Sequence, residues 1–451
     1  MDEHNFAAYQ SGTFTTDITN LELDDTFFQK KDIPAFVHEY CHYIQDITTI
    51  SSIFGFSLWM RDLVNLTNIF SKGEGINISI PLERDEHNET VNKFRKYYSL
   101  YCGDSAEAHN YNYSTYKSVS RILDLKEIDL DGNKQKIAVN YLNLEGSADK
   151  KIHFGLIVLQ EIQAYYAQKM AELKLEGTDF SVKSENMPSF PYKFGDFLFD
   201  YYQITIDLQT KFILIDLCLD TIQAPSVFLD VLESLKGKEI TYFGSKRIDL
   251  VQLVEETRQK SSYSNQVALE NILPDLKNWA SDKSRKYLSE ALDWYIKQVE
   301  IVYGLKHLEG HPNPETFFSM AFCMDWENFA LLFQTFPSPT YLNDDILYRN
   351  VFLESEETDK EFLKSFEAAT TIWSHKVLYD LLCSENIEQI DKNAKCPLYK
   401  NCHLRTQIDD DYTCKMSPWK IIKNEKKIIC QYSMAAHSFG LWQNSLEIKI
   451  D

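Results

Sequence analysis

Glycine and proline are scarce in this chain, at 15 and 12 of 451 residues. That excludes long flexible linkers and argues for mostly helical structure. Positive charge is thin as well. There are 46 Lys and Arg against 67 Asp and Glu, a formal net charge of −21, and the pI is near 5.0. Non-specific nucleic-acid binding needs a Lys/Arg footprint that this balance does not supply, and attachment to anionic membranes is disfavoured for the same reason. Lys420 to Lys427 is the local basic stretch that stands apart. No run of about 18 apolar residues occurs, so no membrane span is expected. The most apolar stretch, Phe212 to Leu219, is interrupted by Asp216. The opening Met1-Asp2-Glu3-His4 lacks the positive region and apolar core of a secretory signal. With nine Cys and no such signal, the expectation is a cytoplasmic protein with free or metal-bound thiols rather than disulfides.

Core material, by contrast, is plentiful. Hydrophobic residues make up 44% of the chain and aromatics 14%, with 26 Tyr and 28 Phe. The length suits two or three domains, or one large elaborated one.

The most informative string is His38-Glu39-Tyr40-Cys41-His42, an H-E-x-x-H within the apolar run Phe36 to Ile50. Residues four apart on a helix share a face, so His38 and His42 can offer imidazole nitrogens to one ion from one side. Glu39 is displaced around the helix. It can miss the metal and still reach water beside it, which is the arrangement a zinc hydrolase needs. Asp32 is an available N-cap and Pro34 falls in the first turn; Gly55 is the expected C-terminal stop.

A catalytic zinc usually takes three protein ligands plus water. One known pattern places a third His six residues after the second motif His, with Gly at the third; here Thr48 and Gln45 occupy those positions, so that pattern fails. Asp46, one turn beyond His42, suits an outer-shell partner for a His nitrogen. The third-ligand candidate is Glu161, close to the apolar run Leu156 to Leu159, where an unpaired carboxylate is costly to bury. Ala164 on the same face would let another helix approach. The competing reading is a carboxylate on the exposed edge of an amphipathic helix.

His38-Glu39-x-x-His42 followed by a helical Glu161-x-x-Ala164 resembles the zincin-like metallopeptidases of the gluzincin type. The wording from Ile33 to Asp46 is similar to that of uncharacterised bacterial zincin-like proteins. The resemblance covers roughly residues 10–180. It implies that two helices supply His38, His42 and Glu161 to one Zn2+, that a sheet precedes the first helix, and that Glu39 is the general base. An insertion is implied by the long gap between His42 and Glu161. If so, an oxyanion donor is needed, and Tyr165, Tyr166, Tyr192, Tyr201 and His153 are the candidates. An edge strand, with Thr13 to Leu23 the natural choice, would bind an extended peptide by strand addition. Cys41 reads as a redox handle or switch partner, or as a small core residue.

The fold expected is α+β, mostly α. A zincin-like part with a small sheet spans 1–180, with an insertion around 75–120. A helical region at 181–385 completes the core or recognises a partner, and a Cys-rich segment spans 386–451. The pattern predicts a strand over Ile76 to Ile80 and one helix within 83–117. A hairpin is expected from Ser118 to Leu130 and Lys134 to Leu142, through Asp131-Gly132-Asn133. Helices are expected over Lys151–Leu175, Phe194–Leu219, Ser226–Leu235, Val267–Trp279, Lys283–Tyr303, Glu315–Phe333 and Asp359–Cys383.

In the last segment, Cys396, Cys402, Cys414 and Cys430 suit a structural zinc or an iron–sulfur cluster, with His403 and His437 as substitutes. Neither pair has C-x2-C spacing, and free cysteines around Trp419 are the competing reading. The function expected is a zinc metallopeptidase acting on a protein or peptide. The alternatives are a non-catalytic sensor or scaffold of zincin shape, and a toxin or defence protease switched on by a regulatory protein partner.

Overall fold

The computed structural model describes residues 8–10, 12–18, 29–71, 77–80, 87–104, 116–130, 132–146, 149–241, 249–260, 269–307, 317–323, 326–343, 346–349, 356–384, 396, 399, 430–441 and 445–448. The fold is α+β and mostly α.

Two short strands, β1 (Ala8–Gln10) and β2 (Thr15–Asp17), precede helices α1 (Ile33–Thr48) and α2 (Ile50–Ser71). Pro34 sits in the first turn of α1, where a missing N–H costs nothing. Asp32 is the residue before the helix, but its side chain makes no capping bond. The helix does not run to Gly55. It breaks at Thr49, which is extended and whose Oγ1 accepts from Ser52 N at 3.4 Å, so Thr49 caps the next helix. Gly55 lies inside α2.

Next come β3 (Asn77–Ile80), α3 (His87–Cys102) and the long hairpin of β4 (Tyr116–Leu130) and β5 (Asn133–Gly146), joined at Gly132 with φ +89°. Strand and hairpin follow the sequence expectation. The run from Lys151 is not all helix. β6 (Lys150–Phe154) pairs antiparallel with β5, and α4 (Leu156–Lys174) begins only after Gly155. Ile152 and Phe154 are buried while Lys151 is exposed, a period of two that the following helical pattern masked. A Cβ on Gly155 would stand 2.4 Å from the Cys102 carbonyl oxygen, so only glycine lets the end of α3 cross the start of α4.

The expected helix over 194–219 is split into α5 (Phe194–Tyr201), β7 (Thr205–Ile206) and α6 (Leu208–Leu219). Gln203 takes φ +57°, and Asp207 restarts the helix by accepting from Thr210 N at 2.8 Å. Then follow α7 (Ala224–Ser234), β8 (Glu239–Ile240), α8 (Leu250–Lys260), α9 (Leu269–Ala280) and α10 (Lys286–Lys306). The stretch expected as one helix over 315–333 holds two, α11 (Phe317–Cys323) and α12 (Trp326–Thr335). After them come β9 (Thr340–Asn343), β10 (Ile346–Arg349), α13 (Glu356–Leu382), α14 (Gln431–Ser438) and β11 (Ser445–Ile448).

The sheet beside α1 draws on both ends of the chain, in the order β1-β2-β9-β10. β2 pairs parallel with β9, Thr16 opposite Tyr341. Strands in the later part of the chain were not expected there. They are short, and β9 and β11 each pair with a strand near the start of the chain. β11 likewise pairs parallel with β3. One hydrophobic cluster runs from Phe14 to Leu441. Among the described residues no helix is long and apolar enough to cross a membrane.

Candidate metal centre

Every residue of α1 from Pro34 to Thr48 is buried. A helix wrapped on all sides must satisfy its polar groups internally. Tyr40 is held by α12, where its hydroxyl donates to the Phe336 carbonyl at 2.8 Å, and Phe36 packs on Tyr341 of β9 with ring centroids 6.4 Å apart. The polar residues of α1 meet α4, its most extensive neighbour.

There the sequence candidates converge. Glu161 Oε2 lies 3.2 Å from His38 Nε2 and 3.4 Å from His42 Nε2. Glu161 is part-buried with 20% of its side chain exposed, and the two imidazoles are buried. Coordinating atoms of His38, Glu39 and His42 all fall within 4.8 Å of one another. Two nitrogens and one carboxylate oxygen are the donor set of a catalytic zinc site. Ligand atoms held about 2.0–2.2 Å from one tetrahedral ion stand about 3.3–3.5 Å apart, close to the spacings found. The residues therefore fit Zn2+, and Ala164, wholly buried, allows the close approach of the helices.

The electrostatics agree with this geometry. Burial raises the Glu161 carboxyl, but His42 and His38 beside it outweigh that and hold it well below the usual carboxylate range. Burial lowers His42, and the Glu161 carboxylate overcomes it, raising the imidazole to about 9. Glu39 is raised by burial, an effect that His38 and His42 partly offset; its carboxylate also takes a backbone hydrogen bond from Tyr9.

Asp46 does not serve as the partner of His42. Its Oδ2 accepts from Tyr9 Oη at 3.0 Å and from Gly12 N at 2.7 Å, which fastens β1 onto α1. Gln45 takes the role instead. Its Oε1 lies 2.8 Å from His42 Nδ1. An amide oxygen only accepts, so Nδ1 carries the hydrogen and Nε2 is left for a cation. Gln45 Nε2 donates to the Gln160 carbonyl at 3.1 Å and to Gln163 Oε1 at 2.7 Å. Gln163 Nε2 donates on to Asp216 Oδ1 at 3.2 Å. Burial raises Asp216, and Lys306 counters it. Lys306 is itself buried and donates to the Thr48 carbonyl at 2.6 Å and to Asp220 at 3.0 Å. The Asp216 that interrupts the apolar run of α6 is thus part of the support beneath the site. His38 Nδ1 is buried without a hydrogen-bond partner among the described residues.

Of the five oxyanion candidates, three are engaged elsewhere. Tyr166 Oη donates to Asp196 at 3.0 Å, Tyr201 Oη donates to the Val119 carbonyl at 3.0 Å, and His153 Nε2 meets the Leu100 carbonyl at 3.1 Å. Tyr165 packs against Tyr166 with the rings tilted, and Lys169 lies over its ring. Tyr192 is the one set against a candidate ligand, its ring 5.6 Å from that of His38. Tyr9, which sequence reasoning missed, stacks on His42 at 6.2 Å. No local signal marks it, because it sits on a three-residue strand.

The strand proposed for peptide docking is corrected too. β2 lies between β1 and β9, so among the described residues the outer strand beside the motif helix is β1; residues 19–23 are outside the described residues. Cys41 is a core residue, 2% exposed, with its thiol raised well above the usual range by burial. Cys396 is buried and Cys430 partly buried, and both raise the buried Tyr432 hydroxyl. Cys430 Sγ accepts from Ser433 N as the cap of α14. Cys402, Cys414, His403, Trp419 and the basic stretch 420–427 lie outside the described residues. No protein-family model, curated protein or solved structure matches the chain, so a functional reading rests on the geometry of this site.

Proposed function

We propose that the chain is a zincin-like, zinc-dependent metallopeptidase that hydrolyses a peptide bond of a protein or peptide substrate. The observation that carries this reading is the position of Glu161 Oε2, 3.2 and 3.4 Å from the Nε2 atoms of His38 and His42, with Glu39 beside them. His38, His42 and Glu161 would hold the zinc. When bound, zinc supplies a Lewis acid that polarises a carbonyl and makes water more acidic.

The remaining work belongs to the chain. Glu39 accepts a proton from the attacking water and returns it to the departing amine. Burial raises the Glu39 carboxyl above its ordinary value, which favours its taking up the proton. Gln45 keeps the hydrogen of His42 on Nδ1. Tyr192, against His38, donates toward the oxygen that gains charge at the scissile carbonyl. β1, the outer strand next to Glu39, offers an edge for an extended peptide.

Metal analysis and cleavage of unstructured peptides test the proposal together. Wild type should hold about one zinc per chain. Glu39→Gln should keep that zinc and lose cleavage, whereas Glu161→Ala should lose zinc. Undiminished zinc in the His38→Ala/His42→Ala double variant, or full cleavage by Glu39→Gln, would overturn it.

A further inference from the structure

β4 is an edge strand, in the sheet order β4-β5-β6. It is 15 residues long, and among the described residues no strand pairs with its outer side. Closing the hairpin at Leu130 and Asn133 turns the even-numbered backbone groups of β4 toward β5 and the odd-numbered ones outward. Two bonds agree with that parity. Asp129 N donates outward to Tyr97 Oη at 3.3 Å, and the Val119 carbonyl accepts from Tyr201 Oη at 3.0 Å. Between those two anchors, the backbone groups of residues 121, 123, 125 and 127 form an open edge.

The side chains along that edge mix exposed apolar and charged residues. Ile122, Leu123 and Leu125 are 47%, 38% and 39% exposed. Asp124 and Lys126, on either side of Leu125, form an exposed ion pair. Long apolar edges are normally blunted because they recruit other strands.

We propose that the β4 edge is a self-association surface, where two copies of this chain pair β4 antiparallel about a twofold axis at Leu125. The charges at positions 124 and 126 complement one another in that register and in no neighbouring one. About Leu125, Asp124 faces the partner's Lys126 and Lys126 faces the partner's Asp124. Both are non-hydrogen-bonded pairs, whose side chains approach most closely. Leu125 faces the partner's Leu125 on the outward hydrogen-bonding positions, flanked on each side by Leu123 against the partner's Glu127. Moving the axis one residue sets Asp124 on the partner's Asp124, or Lys126 on the partner's Lys126. Moving it two residues loses both charge pairs, and on one side sets Glu127 against itself. The contact is isologous and closes at two copies. It is independent of the metal reading.

Sedimentation of the full chain tests this, with circular dichroism to confirm that each variant is folded. Wild type is expected to show a species of twice the 52.7 kDa chain mass. Asp124→Lys should lose the dimer, and Asp124→Lys/Lys126→Asp should regain it. Register is read by oxidation beside a wild-type control. The two Cα atoms at position 125 would stand about 5.5 Å apart, within disulfide reach, so Leu125→Cys should cross-link. Those at position 123 would stand about 14 Å apart, so Leu123→Cys should not. A monomer at every concentration would overturn the proposal. So would a dimer indifferent to Asp124→Lys, or a Cys at 123 that cross-links as readily as one at 125.

Discussion

Gln45 on the motif helix donates to the carbonyl of Gln160 at 3.1 Å, the peptide immediately before Glu161. The same side chain accepts from His42 Nδ1 at 2.8 Å. One amide therefore sets the tautomer of one candidate ligand and fixes the backbone that carries another. Gln45 thus ties two helices together across 118 residues of sequence.

Gln45→Met keeps the shape and removes its bonds to His42, Gln160 and Gln163. Zinc affinity should fall about 10–100-fold, the usual range for an outer-shell partner. Gln45→Glu separates the two roles, since a carboxylate still accepts from Nδ1–H but no longer donates to Gln160. Its imidazole nitrogen shifts should stay those of the Nδ1–H form. Nitrogen NMR of His42 alongside calorimetric zinc titration reads both. Wild-type affinity in Gln45→Met would remove Gln45 from the site.

Tyr192→Phe removes the hydroxyl of the ring that packs 5.6 Å from that of His38 and leaves the ligands intact. Zinc content should be unchanged and kcat should drop about 100-fold or more, the typical loss of one oxyanion donor. A change confined to KM would assign Tyr192 to substrate binding instead.

Lys306 neutralises buried carboxylate charge beneath the site. Lys306→Met should reduce unfolding stability by about 3–5 kcal/mol, because removing one side of a buried pair strands the other. Adding Asp216→Asn should recover part of the loss. Denaturant unfolding decides the point, and a double variant less stable than Lys306→Met would contradict it.

Two buried groups far from the ligands give stability opposite slopes with pH. Burial pulls His375 down to about 4, only partly countered by its bond to the Thr371 carbonyl. The unfolded chain binds that proton first, so stability should be lost as pH falls from about 6.5 to about 4, by about 3 kcal/mol. Burial raises Asp62 to about 7, despite the Tyr379 hydroxyl bonded to it and Arg95 nearby. Here the folded chain keeps the proton longer, so stability should fall as pH rises from about 4 to about 7, by about 4 kcal/mol. Asp62→Asn should raise Tm above pH 7 and leave it unchanged near pH 4. Parallel melts of wild type and variant across that range measure it; equal slopes would show that Asp62 does not titrate with folding.

The sequence by itself determined what local spacing can encode. The helical offset of His38 and His42 put two imidazoles on one face, and Glu161 beside an apolar run marked a carboxylate needing a partner. Asp131-Gly132 marked the hairpin, and the scarcity of glycine and proline marked a mostly helical fold. Only the tertiary structure decided which remote groups meet. Thr49 broke the motif helix through a cap that a continuous apolar run conceals. β9 reached back to β2 across more than 300 residues, and such pairing leaves no periodic trace in either partner. Asp46 and Gln45 are adjacent and equally able to bond His42. Asp46 was drawn to Tyr9 and Gly12, and Gln45 was left facing the imidazole, because β1 lies on one side of α1 and α4 on the other. Which side chain serves a neighbour depends on the element packed against it, and that is a property of the folded chain.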